Sequence, residues 1–300
     1  MTHAPTVLVT GAAGYVGLSL CRHLSGAGWH VIGVDRRTEP PGFPGTYRQV
    51  DLAQPEVISN LLVGVTHVAH LAALASVEAC QLDPEQSEAD NMQTTRHVYE
   101  AAQQAGVRRF VFTSSAAVYP HEAPLPQSED SAQSSGQVYA DHKLASESVL
   151  RNDRHGPDTV SLRFFNIYGP GQTAGVIAHV VNSATTGKEL LIQGDGEQTR
   201  DFVNIRDACR ALELALERKR DFQGLAINIG AGVETSVNAL VRLATESAGH
   251  EFPVRHIGAR PGDLRRWCAD VRRAERELGF RCEVSLQEGM AEILRKVGNA

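Results

Sequence analysis

Two residues four apart, Tyr139 and Lys143, open the chemical reading of this 300-residue chain. On a helix that spacing puts both side chains on one face. A free phenol, with a pKa of about 10, is a poor base near neutral pH, but an ammonium beside it stabilises the phenolate and lowers that value. Such a pair can take a proton from a substrate hydroxyl while hydride leaves the same carbon. The same spacing also occurs in helices as a solvated surface pair, so position decides its weight. It follows an apolar run at 109–113 and the segment Ser114-Ser115-Ala116-Ala117-Val118-Tyr119, which sets hydroxyls at the sheet edge where open α/β folds bind ligands. A serine there suits hydrogen bonding to the reacting hydroxyl and to a developing ketone.

A second constellation lies at the start of the chain. Thr10-Gly11-Ala12-Ala13-Gly14-Tyr15-Val16-Gly17 stands between an apolar run and an amphipathic stretch, the context that turns a glycine pattern into a dinucleotide signal. Gly11 allows the tight turn, Gly14 lets a pyrophosphate approach backbone N–H groups, and Gly17 lets helix and sheet pack closely. Asp35 ends the next apolar run, where a carboxylate accepts hydrogen bonds from the adenosine ribose and repels a 2′-phosphate. Arg36 and Arg37 beside it would welcome that phosphate, so NAD is favoured over NADP against their opposing charge. Asp51-Leu52, after the strand-like residues 47–50, stands where adenine would lie, and equally where a helix N-cap would.

The elements that must carry these residues alternate. Runs rich in β-branched and aromatic residues at 6–10, 30–34, 66–71, 109–113, 159–165 and 226–229 read as strands, and helical patterns at 14–27, 91–105 and 139–150 fall between them. That alternation predicts an α/β fold, a doubly wound parallel Rossmann sheet covered on both faces. After Phe165 the chain shifts to Gly/Pro turns, which predicts a smaller C-terminal substrate-binding lobe built largely from loops. The expected division is residues 1–165, with 203–230 returning to them, as the dinucleotide domain, and 166–202 with 231–300 as the lobe. Residues 120–136, with their Pro, Ser and acidic content, are the expected mobile segment.

Composition narrows the partners. A net charge of −6 offers no general pull on nucleic acid or anionic lipid, which leaves a small molecule whose phosphates meet a few placed cations. Five scattered cysteines form no Cys-x-x-Cys pair and no zinc spacing, so free thiols and no metal are expected. With no leader-like N-terminus and no apolar run near 20 residues, the expectation is a cytoplasmic protein without a membrane partner.

Further residues complete a resemblance. His70-Leu71-Ala72-Ala73, Asn91, Arg163-Phe164-Phe165-Asn166-Ile167-Tyr168-Gly169-Pro170, the segment from Gly194 to Phe202 and Arg260-Pro261-Gly262-Asp263 join the glycine turn, the serine segment and the Tyr/Lys pair. Together these motifs resemble the extended short-chain dehydrogenase/reductases, among them the UDP-galactose 4-epimerase group of nucleotide-sugar enzymes. The resemblance implies Ser115, Tyr139 and Lys143 as the catalytic set. It implies NAD held by Gly11, Ala13, Gly14, Tyr15, Val16, Gly17, Asp35, Arg36, Asp51, Leu52, Leu71, Ala72, Ala73, Asn91, Tyr139, Lys143 and Phe165. It also implies Ser115, Asn166, Arg200, Arg260 and Asp263 as contacts to a UDP-linked sugar; guanidinium forks suit phosphate oxygens, although Arg200 equally suits a surface pair with Asp201 or Asp207.

Within that group, Ala116 and Ala117 stand where 4,6-dehydratases carry an acidic pair, so reversible oxidation at C4 with hydride return, a 4-epimerase, is the expected reaction. The alternatives are an NAD(P)-dependent 4-keto sugar reductase or dehydratase-like enzyme and a non-catalytic NAD-sensing protein. Pro120 in place of a usual glycine, Asp141-His142 before the lysine and the short chain depart from the pattern. His142 suits either a second titrating group or a helix-surface histidine. Trp267 is expected to exclude sugars with a 2-acetamido group. The resemblance further implies a homodimer through the helices at 91–105 and 139–150, whose apolar positions could equally face the chain's own sheet.

Overall fold

The apolar runs become strands because β-branched and aromatic side chains pack on a pleated surface. A computed structural model describes residues 4–298 apart from 132, 134, 135, 154 and 260–264. It contains β1 (Thr6–Thr10), β2 (His30–Asp35), β3 (Thr46–Gln49), β4 (His67–His70), β5 (Arg109–Ser115), β6 (Asp158–Phe164) and, later in the chain, β11 (Leu225–Ile229), joined in the order β11-β6-β5-β4-β1-β2-β3. The pairings from β3 through to β6 are all parallel. Strand order reverses between β1 and β4, the switch point outside which such folds take their ligands. The α/β reading is therefore correct.

The chain divides into two compact units: Met1–Ala123 with Glu129–Phe164 and Cys209–Asn228, and Pro124–Ser128 with Phe165–Ala208 and Ile229–Ala300. In the first, α1 (Tyr15–Gly26), α2 (Ile58–Leu61), α3 (Val77–Leu82), α4 (Pro84–Ser87), α5 (Thr94–Gln104) and α6 (Val138–Asn152) accompany the sheet. Its centre holds Leu8, Val34, Ile58, Val68, Val98 and Phe110, all at 0% exposure, as expected where parallel strands are covered on both faces. Val98, Tyr99, Ala101 and Ala102 of α5 and Leu150 of α6 belong to this core. The apolar positions of those helices thus face the chain's own sheet.

Three expectations need correction. Asn91 does not open a helix; it lies inside a π-helical stretch, Glu88–Gln93, that leads into α5, and its side chain is buried to 1%. The second unit is not largely loops. Its α7 (Val176–Thr186), α9 (Val237–Ala248) and α11 (Leu286–Gly298) bury Ile177, Val180, Leu240, Ala244, Met290 and Ile293 together, because each carries one apolar stripe between the Gly/Pro turns. Around them lie α10 (Arg272–Leu278) and the strand pairs β7 (Asn166–Tyr168) with β10 (Phe202–Asn204), β8 (Leu190–Gln193) with β13 (Val254–Ile257), and β9 (Thr199–Arg200) with β12 (Thr235–Ser236). The helix α8 (Ile205–Glu217) carries residues of both units. The first part of the segment 120–136 is also tethered: Gln127 N donates to the Cys268 carbonyl at 2.8 Å, and Glu129 Oε1 accepts the Asn228 amide at 2.8 Å. Residues 132, 134 and 135 of that segment lie outside the described residues.

Candidate active site

The glycine turn makes the first cleft. Gly11 has φ +68, a left-handed conformation that favours glycine, and a Cβ at Gly17 would run into the Gly11 carbonyl. The helix α1 then follows Gly14, an N-cap with no side-chain hydrogen bond to offer, leaving the first N–H groups for an anion. Gly11, Gly14, Tyr15, Val16, Gly17, Asp35, Arg36, Asp51, Leu52, Leu71, Ala72 and Ala73, all anticipated from sequence, line this cleft of about 570 Å³ with Arg37, Val50, Ala75, Asp90 and Thr94. A glycine-walled groove at a helix start, closed by a carboxylate at the end of β2, fits a dinucleotide.

Ala13 takes part through its backbone: its N–H donates to Asp35 Oδ2 at 3.0 Å. Asp35 also accepts the Arg37 N–H at 3.0 Å and both Nε and Nη2 of that side chain, at 3.0 and 2.9 Å. Burial works against the Asp35 charge, but the guanidinium and the two amides outweigh it and hold the carboxyl below its ordinary range. Arg36 in turn donates to Asp90 at 3.2 Å. Both arginines, more than half exposed, are thus paired with carboxylates that offset the charge a 2′-phosphate would meet. Asp51 accepts the Ala53 N–H at 3.0 Å within a turn and lines the cleft; it does not cap the following helix, Pro55–Val57, whose N-cap is Gln54.

At the C-terminal end of β5 lies the second cluster. Ser115 Oγ accepts the Ala117 N–H at 3.2 Å, and its hydroxyl is near enough to the Tyr139 phenol to favour its ionised form. Lys143 Nζ donates to the Thr113 carbonyl at 2.9 Å and lies over the Tyr139 ring, 5.8 Å from its centroid. Burial pushes the Tyr139 phenol up to about 12, with the Ser115 hydroxyl pulling the other way. Burial likewise pushes the Lys143 ammonium down to about 8, against the attraction of Glu147. The ammonium sits over the ring face, and the hydroxyl of Ser115 is the neighbour that pulls the phenol down.

Beneath this cluster is an ion pair that the sequence reading missed. Arg163 donates through Nε and Nη2 to the two oxygens of Glu147, at 2.9 and 2.6 Å, and Ser114 Oγ donates to Glu147 Oε1 at 2.6 Å. Arg163 Nη1 donates to the Tyr119 hydroxyl at 3.0 Å, which donates to Asn228 Oδ1 at 2.6 Å. The available signal was Glu147 itself, one further turn along the stripe of Tyr139 and Lys143. His142, half-buried, lies 2.9 Å from Ser87 Oγ through Nδ1.

Asn91 does not line the first cleft. Its Oδ1 accepts the Leu74 N–H at 2.7 Å and its Nδ2 donates to the Leu74 carbonyl at 3.2 Å, so it shapes a loop instead of offering its amide to a cofactor. Phe165 is likewise absent from that cleft's lining; its ring, 5% exposed, packs in the second unit 6.4 Å from that of Trp267. Trp267 is itself only 4% exposed, which makes it a packing residue there.

In the second unit Arg200 lines a separate cleft of about 580 Å³ with His179, Asn182, Lys188, Leu190, Ile192, Gln193 and Gln198. Arg200 Nη1 donates to the Thr199 carbonyl at 2.8 Å. Its neighbour Asp201, fully buried, accepts the N–H groups of Ala231, Gly232 and Ala269. Asn166 is exposed and opposite Phe202 in the β7–β10 register. Arg260 and Asp263 lie outside the described residues. No group of three or more His, Cys, Asp or Glu is placed to hold a metal, and no helix is long and apolar enough to cross a membrane, among the described residues.

Residues 7–230 match the model of the NAD dependent epimerase/dehydratase family. The chain belongs to that family. Its cofactor is NAD, in agreement with the first cleft. The chain is 33% identical over 304 residues to a UDP-glucose 4-epimerase of Mycolicibacterium smegmatis, covering 96% of each. Among solved structures it is similar to MoeE5 in complex with UDP-glucose and NAD, at 35% identity over 98% of this chain and 99% of that one, with a TM-score of 0.90. It is also similar to the UDP-glucuronic acid 4-epimerase of Bacillus cereus, at 27% identity over 98% and 99%, with a TM-score of 0.89.

Proposed function

We propose that the chain is an NAD-dependent 4-epimerase of a UDP-linked hexose or hexuronate. The observation that carries this reading is the cluster of Tyr139, Ser115 and Lys143 next to Ala116 and Ala117. Lys143 Nζ lies over the Tyr139 ring and donates to the Thr113 carbonyl beside Ser115, and neither alanine can serve as the acid or base that loss of water would need. The relatives supply the substrate class: they include UDP-glucose and UDP-glucuronic acid 4-epimerases.

In this reading Gly11 to Gly17, Asp35, Asp51, Leu52 and Leu71 to Ala73 hold NAD, and Arg200, Asn166, Arg260 and Asp263 hold the nucleotide diphosphate. NAD held there would supply a hydride acceptor and donor for C4. Tyr139 takes the proton of the C4 hydroxyl as the ketone forms, and Ser115 orients that oxygen through its hydroxyl. Lys143 keeps a positive charge beside the phenol ring and fixes the end of β5 through Thr113. After the ketone turns its other face, Tyr139 returns the proton and the opposite C4 configuration results, with no net oxidation. The protein works in the cytoplasm, and by family resemblance as a homodimer; a light-scattering mass of one chain would remove that last part.

Incubation of the purified protein with UDP-glucose, UDP-galactose, UDP-glucuronate and UDP-N-acetylglucosamine, each followed by proton NMR, tests the reaction. A 4-epimer from any of them, absent with Tyr139→Phe, is the expected result and names the sugar. No epimer from any of the four, with NAD bound, would turn the reading toward a 4-keto sugar reductase.

A further inference from the structure

Thr10 ends β1 and His70 ends β4, at the switch point where the first cleft opens. Thr10 Oγ1 accepts the amides of Leu71 and Ala72, each at 3.1 Å, and lies 2.8 Å from His70 Nδ1. A hydroxyl has two lone pairs and one proton. Both lone pairs are taken by backbone amides, so the proton goes to Nδ1, which must be bare. A neutral imidazole then carries its proton on Nε2, which lies 3.0 Å from Thr95 Oγ1 and donates to it. Thr95 Oγ1 donates in turn to the Asn91 carbonyl at 2.6 Å, an oxygen that Ser146 Oγ of α6 also reaches at 3.2 Å while lying nearer, at 2.9 Å, to the His142 carbonyl. Each proton from Thr10 through His70 to Thr95 has one assignment, and two backbone amides fix it.

The surroundings keep the ring neutral. His70 is fully buried, with Thr10 of β1 on one nitrogen, Thr95 of α5 on the other, and the rings of Phe110 and Phe112 of β5 at 5.7 and 6.0 Å. The charged group that bears on it is Lys143 of α6, whose Nζ lies 4.7 Å from the Phe112 centroid. Burial first and Lys143 second push the imidazole down to about 3. A proton on Nδ1 would face a hydroxyl with no free lone pair, and Thr10 would have to release an amide. A shift of that backbone reaches the glycine turn directly, since even a Cβ on Gly11 would meet Ala72 N at 2.9 Å.

We propose that His70 is a positioning residue for the cofactor: its neutral Nε2–H form lets Thr10 clamp the Leu71–Ala72 backbone that lines the dinucleotide cleft. Through Thr95 and Asn91 it also ties that backbone to the helix carrying Lys143. This rests on the reading of the first cleft as the NAD site.

NAD binding by calorimetry to the full chain tests it with three substitutions. His70→Asn keeps an oxygen near the Nδ1 position and can still accept from Thr10; His70→Gln reaches only the Nε2 position, and His70→Phe neither. Losing one neutral hydrogen bond, about 1.4 kcal/mol, weakens NAD about tenfold for His70→Gln and His70→Phe, whereas His70→Asn stays within about threefold. Equal weakening by all three would overturn the assignment. The wild-type protein gives a readout that no folding defect obscures: nitrogen NMR of the ring, which should report a bare Nδ1 and a protonated Nε2 across the neutral range. A proton on Nδ1, or a ring that titrates near its ordinary pKa of about 6.5, would overturn it too. Asp35→Ala separates the two readings: unchanged NAD affinity in that variant means the cleft reading has failed, whereas weakened affinity there with none in His70→Gln overturns the role of His70 alone.

Discussion

The two units differ in where most of their ion pairs lie, although the second also buries Asp201 behind three backbone amides and the first also carries exposed pairs at Arg36 and Arg37. In the first, Arg163, Glu147, Lys143 and His70 are at most 3% exposed, and their hydrogen bonds link the ends of β1, β4, β5 and β6 to helices. In the second, the pairs Arg265–Asp195, Arg255–Glu189 and Arg266–Glu234 stand mostly in solvent, with each arginine more than half exposed. A buried network holds its members in one geometry because each broken bond strands a desolvated group. Solvated pairs are screened and exchange partners with water at little penalty. The contrast fits a division of labour in which chemistry needs fixed atoms and recognition of a varied sugar nucleotide tolerates adjustment.

Substitutions can break that contrast at its strongest point first. Tyr139→Phe removes the proton carrier from the rigid cluster and should lower kcat by roughly 10²–10⁴-fold with NAD affinity, followed by calorimetry, unchanged. Arg163→Met leaves Glu147 as an unpaired buried carboxylate and should destabilise the fold by about 3–5 kcal/mol, measured as a lower denaturant midpoint. Asp35→Ala should weaken NAD by roughly 10–100-fold, the range for hydrogen bonds to a charged group, while leaving nucleotide-sugar affinity alone.

A finer effect comes from pH. Lys143 is an ammonium below about 8 and an amine above it, so a charge needed beside Tyr139 makes kcat fall as pH rises through about 8. Lys143→Arg should carry that limb to higher pH, because a guanidinium stays charged. The sign for stability is opposite. The folded pKa is depressed from 10.5, so burial of the ammonium opposes folding fully below about 8 and that penalty is relieved as pH climbs from there toward 10.5. The smallest effect belongs to the second unit: Arg265→Ala should leave the denaturant midpoint in place, and a clear drop would mean that its solvated pairs stabilise more than their exposure allows.

What the sequence disclosed follows the same division. The first cleft is written in backbone geometry, which only certain residues permit, so Gly11, Gly14, Gly17 and Asp35 could be found from spacing. Tyr139 and Lys143 were legible because helical periodicity makes neighbours of residues four apart. The Arg163–Glu147 pair and the Thr10–His70–Thr95 chain join residues 16, 60 and 25 positions apart, and no local pattern states such pairings. Asn91 and Phe165 were assigned to the cofactor by resemblance, yet burial turns one onto the Leu74 backbone and the other toward Trp267. The helical core of the second unit was hidden because short amphipathic stripes between Gly/Pro turns read as loops.

The most direct test follows a nucleotide sugar deuterated at C4, taken from whichever substrate turns over, by NMR in ordinary water. Transient oxidation with hydride return predicts a 4-epimer that keeps its deuterium at C4, with no accumulation of reduced cofactor and no product from Tyr139→Phe. Washout of the label, or an epimer formed equally well by the Tyr139→Phe protein, would contradict the account.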